Sequence, residues 1–215
     1  MPDPTALSRL RAGYQQAGLS RADLPAEPMV LWRQWLADAE AAGLVEANAM
    51  VVTTVEAGGE PSARTVLCKQ ADERGFVFFT NYDSRKGRAI ATNPAVALLF
   101  PWHPLARQVI VNGRAERVSR AESEAYFATR PRGAQLSAAA SEQSHPIADR
   151  AALEARVAEL AATYDGRDVP CPAGWGGFVV RPETVEFWQG RADRLHDRLR
   201  YCVAASGWRV ERLCP

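Results

Sequence analysis

A chain of 215 residues with 26 basic and 25 acidic side chains has a formal net charge of +1. No global field therefore favours nucleic acid or an anionic membrane as partner. Hydrophobic residues make up 47% and charged residues 24%, a balance that supports a buried core without help from disulfide or metal. The cysteines Cys68, Cys171, Cys202 and Cys214 show no Cys-x-x-Cys spacing, which argues against a zinc site and for reduced thiols. Residues 1–10 lack the apolar core of a signal peptide, and the longest apolar run, 95–100, is far too short to cross a bilayer. A cytoplasmic protein is expected.

Residues 1–24 are polar and Arg-rich and read as an N-terminal arm, leaving 25–215 as a single domain. Over 28–43, Leu31, Trp32, Trp35 and Leu36 predict a helix closed by Gly43. Strands follow at 49–56 and 63–70, joined through Gly58-Gly59, and a charged turn at 71–75 leads into a strand at 76–80. Residues 84–92 read as a short helix stopped by Asn93-Pro94. Strands are expected at 95–101 and 108–118, the second interrupted by Asn112-Gly113. Ser119 and Glu122 have capping-box spacing and open a helix through Thr129. Leu153, Val157, Leu160 and Tyr164 trace an apolar stripe on a helix over 148–164. Strands at 175–181, 184–189, 194–203 and 208–212 complete the chain. Many strands with short links and few helices predict a mainly β fold, an antiparallel barrel with peripheral helices. No Gly-x-Gly-x-x-Gly follows a strand, so a Rossmann dinucleotide site is disfavoured.

The chemistry concentrates in the last quarter. On an extended strand successive side chains point to opposite faces. Arg194, His196, Arg198 and Arg200 would then share one face, and Leu195, Leu199 and Tyr201 the other. Like charges in a row repel unless an anionic or electron-rich ligand lies across them. Trp188, just before the turn at Gly190, adds a flat apolar surface. Together they suit a planar, phosphorylated molecule. Taken singly, Ser84-Arg-Lys86 reads as a solvated helix start, Trp188 as a core residue, Gln108 as an exposed strand residue and Arg130-Pro-Arg132 as a helix C-terminus.

Trp175-Gly-Gly-Phe178, Glu186-Phe-Trp-Gln-Gly190 and Arg194-Leu-His-Asp-Arg198 resemble the C-terminal signature of the pyridoxamine 5′-phosphate oxidase family. Further motifs match in the same order: Arg64-Thr-Val-Leu-Cys-Lys69, Phe78-Phe-Thr-Asn81, Ser84-Arg-Lys86, Phe100-Pro-Trp-His103, Arg107-Gln-Val109 and Arg130-Pro-Arg132. The resemblance runs from Arg11 to Pro215. It implies an FMN-binding split β-barrel and a homodimer with FMN bound between subunits. It also implies oxidation of pyridoxamine or pyridoxine 5′-phosphate to pyridoxal 5′-phosphate, with hydride passing from substrate C4′ to FMN and dioxygen reoxidising the flavin to give hydrogen peroxide.

The resemblance also assigns residues. FMN positions fall on Arg64, Thr65, Val66, Leu67, Cys68 and Lys69, then on Phe79, Thr80, Arg85 and Lys86. Gln108, Gln143, Ser144, Trp188 and Arg198 complete them. Substrate positions fall on Lys69, Tyr126, Arg130, Arg194 and His196, with Arg194 and His196 orienting the reacting ring. Ala134 stands where the family often carries a phosphate-binding serine, so one hydroxyl donor is missing. Arg11 and Tyr14 match a segment that in the family can fold over the substrate. Arg64 and Lys69 lie an odd number of residues apart; on one regular strand they would face opposite ways, so that one could serve a site shared with a second chain. A non-catalytic flavin or pyridoxal-phosphate binding protein is the alternative. A deazaflavin reductase of the same fold would leave Arg194-Leu-His-Asp-Arg198 without purpose.

Overall fold

The computed structural model describes residues 18–215. In chain order its α-helices and strands begin with α1 (Pro28–Ala41), β1 (Ala49–Val55), β2 (Pro61–Leu67), β3 (Gln70–Asp72) and β4 (Gly75–Asn81). Then come α2 (Arg85–Thr92), β5 (Ala95–Trp102), β6 (Arg107–Arg117), α3 (Arg120–Ala128), α4 (Arg132–Ala140) and α5 (Arg150–Thr163). The chain closes with β7 (Trp175–Gln189), β8 (Asp197–Ala204) and β9 (Gly207–Arg212). The strands join in the order β2-β1-β5-β6-β7-β4-β3, with β8 paired to β7 and β9 to β8. The mainly β class with few helices is the one expected from sequence. The chain divides into two compact units.

The first unit holds the described part of Met1–Ala47 with Leu99–Val111 and Thr184–Pro215. Pro28 occupies the first turn of α1, where its missing N–H costs nothing. Leu31, Trp32, Trp35 and Ala39 make the helix's buried stripe. Trp32 meets Phe100 edge-on at 5.3 Å and Trp35 meets Phe187 at 5.2 Å. Tyr201, fully buried on β8, donates its hydroxyl to the Pro25 carbonyl at 2.8 Å, tying the segment before α1 to the sheet.

The second unit holds Asn48–Leu98 and Asn112–Glu183. β1 and β2 form the expected hairpin, Val55 pairing with Pro61, with Gly59 at φ 93 in the turn. Phe76, Val77, Phe78 and Phe178 fill the core. Ser84 caps α2 by accepting from the Gly87 N–H at 3.2 Å. Ser119 caps α3 by accepting from the Glu122 N–H at 3.1 Å, while the Glu122 carboxylate takes two bonds from Arg74 at 3.0 Å. Val157 and Leu160 of α5, with Tyr164 at its C-cap, pack against Phe127, Leu136, Val169 and Trp175.

Several expectations are corrected. β8 starts at Asp197, not at residue 194, because Ala192–Arg194 make a 3-10 turn with Asp193 at φ 55 and Arg194 at φ 62. Arg194 and His196 are therefore off the strand, and Leu195 is 72% exposed rather than buried with Leu199 and Tyr201. β7 is one strand of 15 residues, not two. β6 runs unbroken through Asn112-Gly113, since Gly113 packs where a Cβ would strike the Arg181 carbonyl. The strand expected over 63–70 stops at Leu67, and β3 is separate. α4 was not expected: Arg132–Ala140 is rich in the strong helix former Ala, but with buried residues only at Leu136 and Ala140 it traces no apolar stripe.

Candidate functional site

Within the second unit, β2, β4, the start of α2, residues around the end of α3, α4 and the segment 141–144 wall a cavity of about 1020 Å³. Its most buried cation is Lys86, held by the capped start of α2 and 8% exposed. Lys86 Nζ donates to Thr80 Oγ1 at 3.0 Å and to Gln143 Oε1 at 2.9 Å. Both are neutral oxygens, and burial with neighbouring Arg64 pulls the ammonium down to about 8. Arg64 in turn donates to the Val52 carbonyl at 3.1 Å, the Thr54 hydroxyl at 2.9 Å and the Ser62 hydroxyl at 2.7 Å. Burial, then Arg85, lowers its pKa. Arg85 forms an ion pair with Glu56, which offsets one of the three charges. Desolvated cations satisfied by neutral oxygens favour an incoming phosphate. Ser144, beside Gln143 on the same wall, sits at φ 74, a conformation that non-glycine residues hold at a cost.

A second cationic group lines the same cavity. Arg130, just past the end of α3, lies over the Trp175 ring at 4.9 Å from its centroid. Its Nη1 is buried and has no hydrogen-bond partner among the described residues, and burial lowers its pKa. A buried orphan donor of this kind fits an anion. Tyr126 stacks on Phe79 at 3.9 Å, and Phe79 lies nearly parallel to Trp175 at 5.5 Å. Burial raises the Tyr126 pKa, so it stays a hydroxyl donor. Lys69 joins this wall. Arg64 and Lys69 thus line one cavity, contrary to the alternation argument, because β2 ends at Leu67 between them.

Of the expected FMN run, Arg64, Thr65, Val66, Leu67 and Lys69 line the cavity, as do Phe79, Thr80, Arg85, Lys86, Gln143 and Ser144. Cys68 does not; it is buried, with its thiol donating to the Gln70 carbonyl at 3.3 Å. Ala134, in the first turn of α4, is also absent from the wall, whereas Ser137, one turn on, is present. Ser62 and Trp175 line the cavity without having been singled out for it; the period-2 spacing of Ser62 from Arg64 was the available signal. Glu56, whose ion pair spans separate elements, had none.

Gln108, Trp188, Arg194, His196 and Arg198 belong to the first unit. Trp188 and Arg198 are direct register partners between β7 and β8. The His196 ring lies 4.7 Å from Trp188, and its Nδ1 accepts from the Arg191 backbone N–H at 3.1 Å. Arg198 and Arg200, the two cations that remain on the strand, are each held by a carboxylate: Arg198 Nε reaches Glu186 at 2.7 Å and Arg200 Nε reaches Glu211 at 2.9 Å. The expected row of uncompensated charge is therefore not formed. Arg11 and Tyr14 lie outside the described residues.

The fold and the cavity suit a split-barrel protein that holds an anionic ligand against aromatic rings. Residues 36–164 match the family model described as pyridoxamine 5′-phosphate oxidase, and 175–215 that of the pyridoxine 5′-phosphate oxidase C-terminal dimerisation region. The chain belongs to the pyridoxamine 5′-phosphate oxidase family. It is 56% identical to the pyridoxine/pyridoxamine 5′-phosphate oxidase of Streptomyces avermitilis, with 99% of this chain and 96% of that protein covered. Its identity to the protein of that name from Rubrobacter xylanophilus is also 56%, over 97% and 96% of the two chains. Among solved structures, PhzG from Burkholderia lata 383, in complex with tetrahydrophenazine-1-carboxylic acid, superposes with a TM-score of 0.88 at 32% identity, over 95% of this chain and all of that one. A pyridoxamine 5′-phosphate oxidase-related, FMN binding protein from Nostoc punctiforme PCC 73102 shares the fold at a TM-score of 0.69 and 19% identity, over 86% of this chain and 97% of that one.

Proposed function

We propose that this protein is an FMN-dependent oxidase that converts pyridoxamine 5′-phosphate, pyridoxine 5′-phosphate or both to pyridoxal 5′-phosphate, with dioxygen as final acceptor, and that it works as a homodimer. The observation that carries the reading is one cavity lined by two sets of cations, Lys86 with Arg64 and Arg85, and Lys69 with Arg130, whose Nη1 has no partner among the described residues. Two phosphates, one on the cofactor and one on the substrate, match two such sets. The relatives' names and the dimerisation region support the reading.

FMN, when bound, supplies a hydride acceptor. The chain's work is to hold and orient. Lys86, Arg64 and Arg85 would take the FMN phosphate, with Thr80 and Gln143 setting the Lys86 ammonium in place. Gln108, Trp188 and Arg198 are assigned to the flavin, and Lys69, Tyr126 and Arg130 to the substrate phosphate. Arg194 and His196 would orient the substrate ring. Because His196 Nδ1 accepts the Arg191 N–H, its neutral ring carries the proton on Nε2 and offers a donor there. Holding the reacting carbon in register is where such a site gains rate, and no nucleophile is needed.

The test is a flavin spectrum on purified protein, followed by oxygen uptake with pyridoxamine 5′-phosphate. Arg194→Met should keep the flavin and lose about 10- to 200-fold in kcat/KM, the effect of one charged hydrogen bond. A yellow protein that consumes no oxygen with either phosphorylated substrate would favour the non-catalytic alternative and sink the oxidase reading.

A further inference from the structure

The first unit holds a buried acid that the proposed chemistry leaves unassigned. Glu186 on β7 is 7% exposed, and burying a carboxylate is unfavourable unless it is paired and hydrogen-bonded. It is paired through both oxygens: Arg198 Nε donates to Oε1 at 2.7 Å and Nη2 to Oε2 at 3.1 Å. Arg198 Nη1 donates to the Cys214 carbonyl at 2.9 Å, and the Leu213 N–H returns to the Arg198 carbonyl at 2.9 Å. The C-terminal segment thus closes over the other side of the same side chain.

Register shows that this pairing is selective. The residue opposite Glu186 on β8 is Arg200, yet Arg200 bonds Glu211 on β9, its partner in the next ladder. Glu186 instead reaches diagonally to Arg198, whose own cross-strand partner is Trp188. Glu186 and Trp188 are two residues apart and share a face. One guanidinium is therefore gripped from two sides beside the ring assigned to the flavin. A guanidinium has five N–H donors; the grip uses one on each of its three nitrogens and leaves the rest for a ligand.

We propose that Glu186 is a positioning residue, fixing the Arg198 guanidinium beside Trp188 in the orientation that receives FMN, with the Cys214 carbonyl as the second hold. The inference rests on the assignment of Arg198 to FMN made above. A planar fork already locked by two parallel bonds loses little further freedom when a ligand binds. With its charge largely offset by Glu186, Arg198 would act through the direction of its N–H groups more than through net charge.

The experiment is the dissociation constant of FMN, measured by fluorescence quenching on flavin-free protein, with Tm recorded alongside. Glu186→Gln should weaken FMN binding about 5- to 30-fold and Arg198→Met at least as much. The double variant should bind no more weakly than Arg198→Met alone, because Glu186 acts only through that guanidinium. Arg198→Lys, which keeps the charge and loses the fork, should bind like Arg198→Met; it decides the matter if Glu186→Gln does not fold. Wild-type affinity in Glu186→Gln or in Arg198→Lys, or penalties that add in the double variant, would overturn the proposal. So would a lowered Tm with unchanged affinity, which makes Glu186 structural only. Wild-type affinity in Arg198→Met would instead remove the assignment of Arg198 to FMN, and this inference with it.

Discussion

Lys86 is the residue whose environment makes the sharpest statement. Burial and Arg64 bring its pKa from the ordinary 10.5 to about 8. Between those values the unfolded chain holds more protons than the folded one, so flavin-free protein should gain stability as pH rises through that window. Ligand binding should run the other way. A phosphate favours the ammonium, so FMN affinity should be greatest below pH 8 and fall above it, by up to about tenfold per unit. Lys86→Met should weaken FMN about 10- to 100-fold and remove that slope. Calorimetric titrations from pH 6.5 to 9.5 on both proteins decide it; an equal slope in the variant would mean that another group titrates.

At the scale of elements, regular patterns were legible and departures from them were not. The α1 stripe through Leu31, Trp32 and Trp35, the short helix starting at Ser84 and the Ser119 cap all appear where the sequence places them. The local geometry of Arg194 and His196 was not legible, because period-2 reading assumes a strand and Asp193 and Arg194 adopt positive φ without a glycine to announce it. Their joint membership of a motif survives that error, but the shared strand face does not. Gly113 misled in the opposite direction. A glycine in a strand reads as a break, yet here it permits close approach to the Arg181 carbonyl from a residue distant in sequence. Gly113→Ala should therefore destabilise the protein by about 1–3 kcal/mol, as overpacking does, and lower Tm by about 2–10 °C. An unchanged melting curve would show that β6 can shift to absorb the methyl group.

For the whole molecule, the residues assigned to the flavin divide between two compact units, the cations proposed for its phosphate in one and Trp188 and Arg198 in the other. The second pair falls within 175–215, the stretch that matches a dimerisation region. Sedimentation should give twice the chain mass. If FMN is shared between subunits, flavin should be released on dilution over the same concentration range in which dimers separate. Stoichiometric FMN on a monomer would refute the shared site. Sequence order alone could not reveal this division, because β5, β6 and β7 each pass from one unit to the other.

The burial of Cys68 carries a last consequence, in redox durability. Its neighbours Leu67 and Lys69 line the cavity while its own thiol is pushed up to about 12, chiefly by burial. Peroxide attacks thiolates rather than thiols. An oxidase that releases peroxide from this cavity would therefore keep Cys68, between two lining residues, in the unreactive form. After prolonged turnover, mass spectrometry should find Cys68 unmodified and exposed Cys214 oxidised first. Sulfinic acid at Cys68 ahead of Cys214 would show that the strand end opens during turnover.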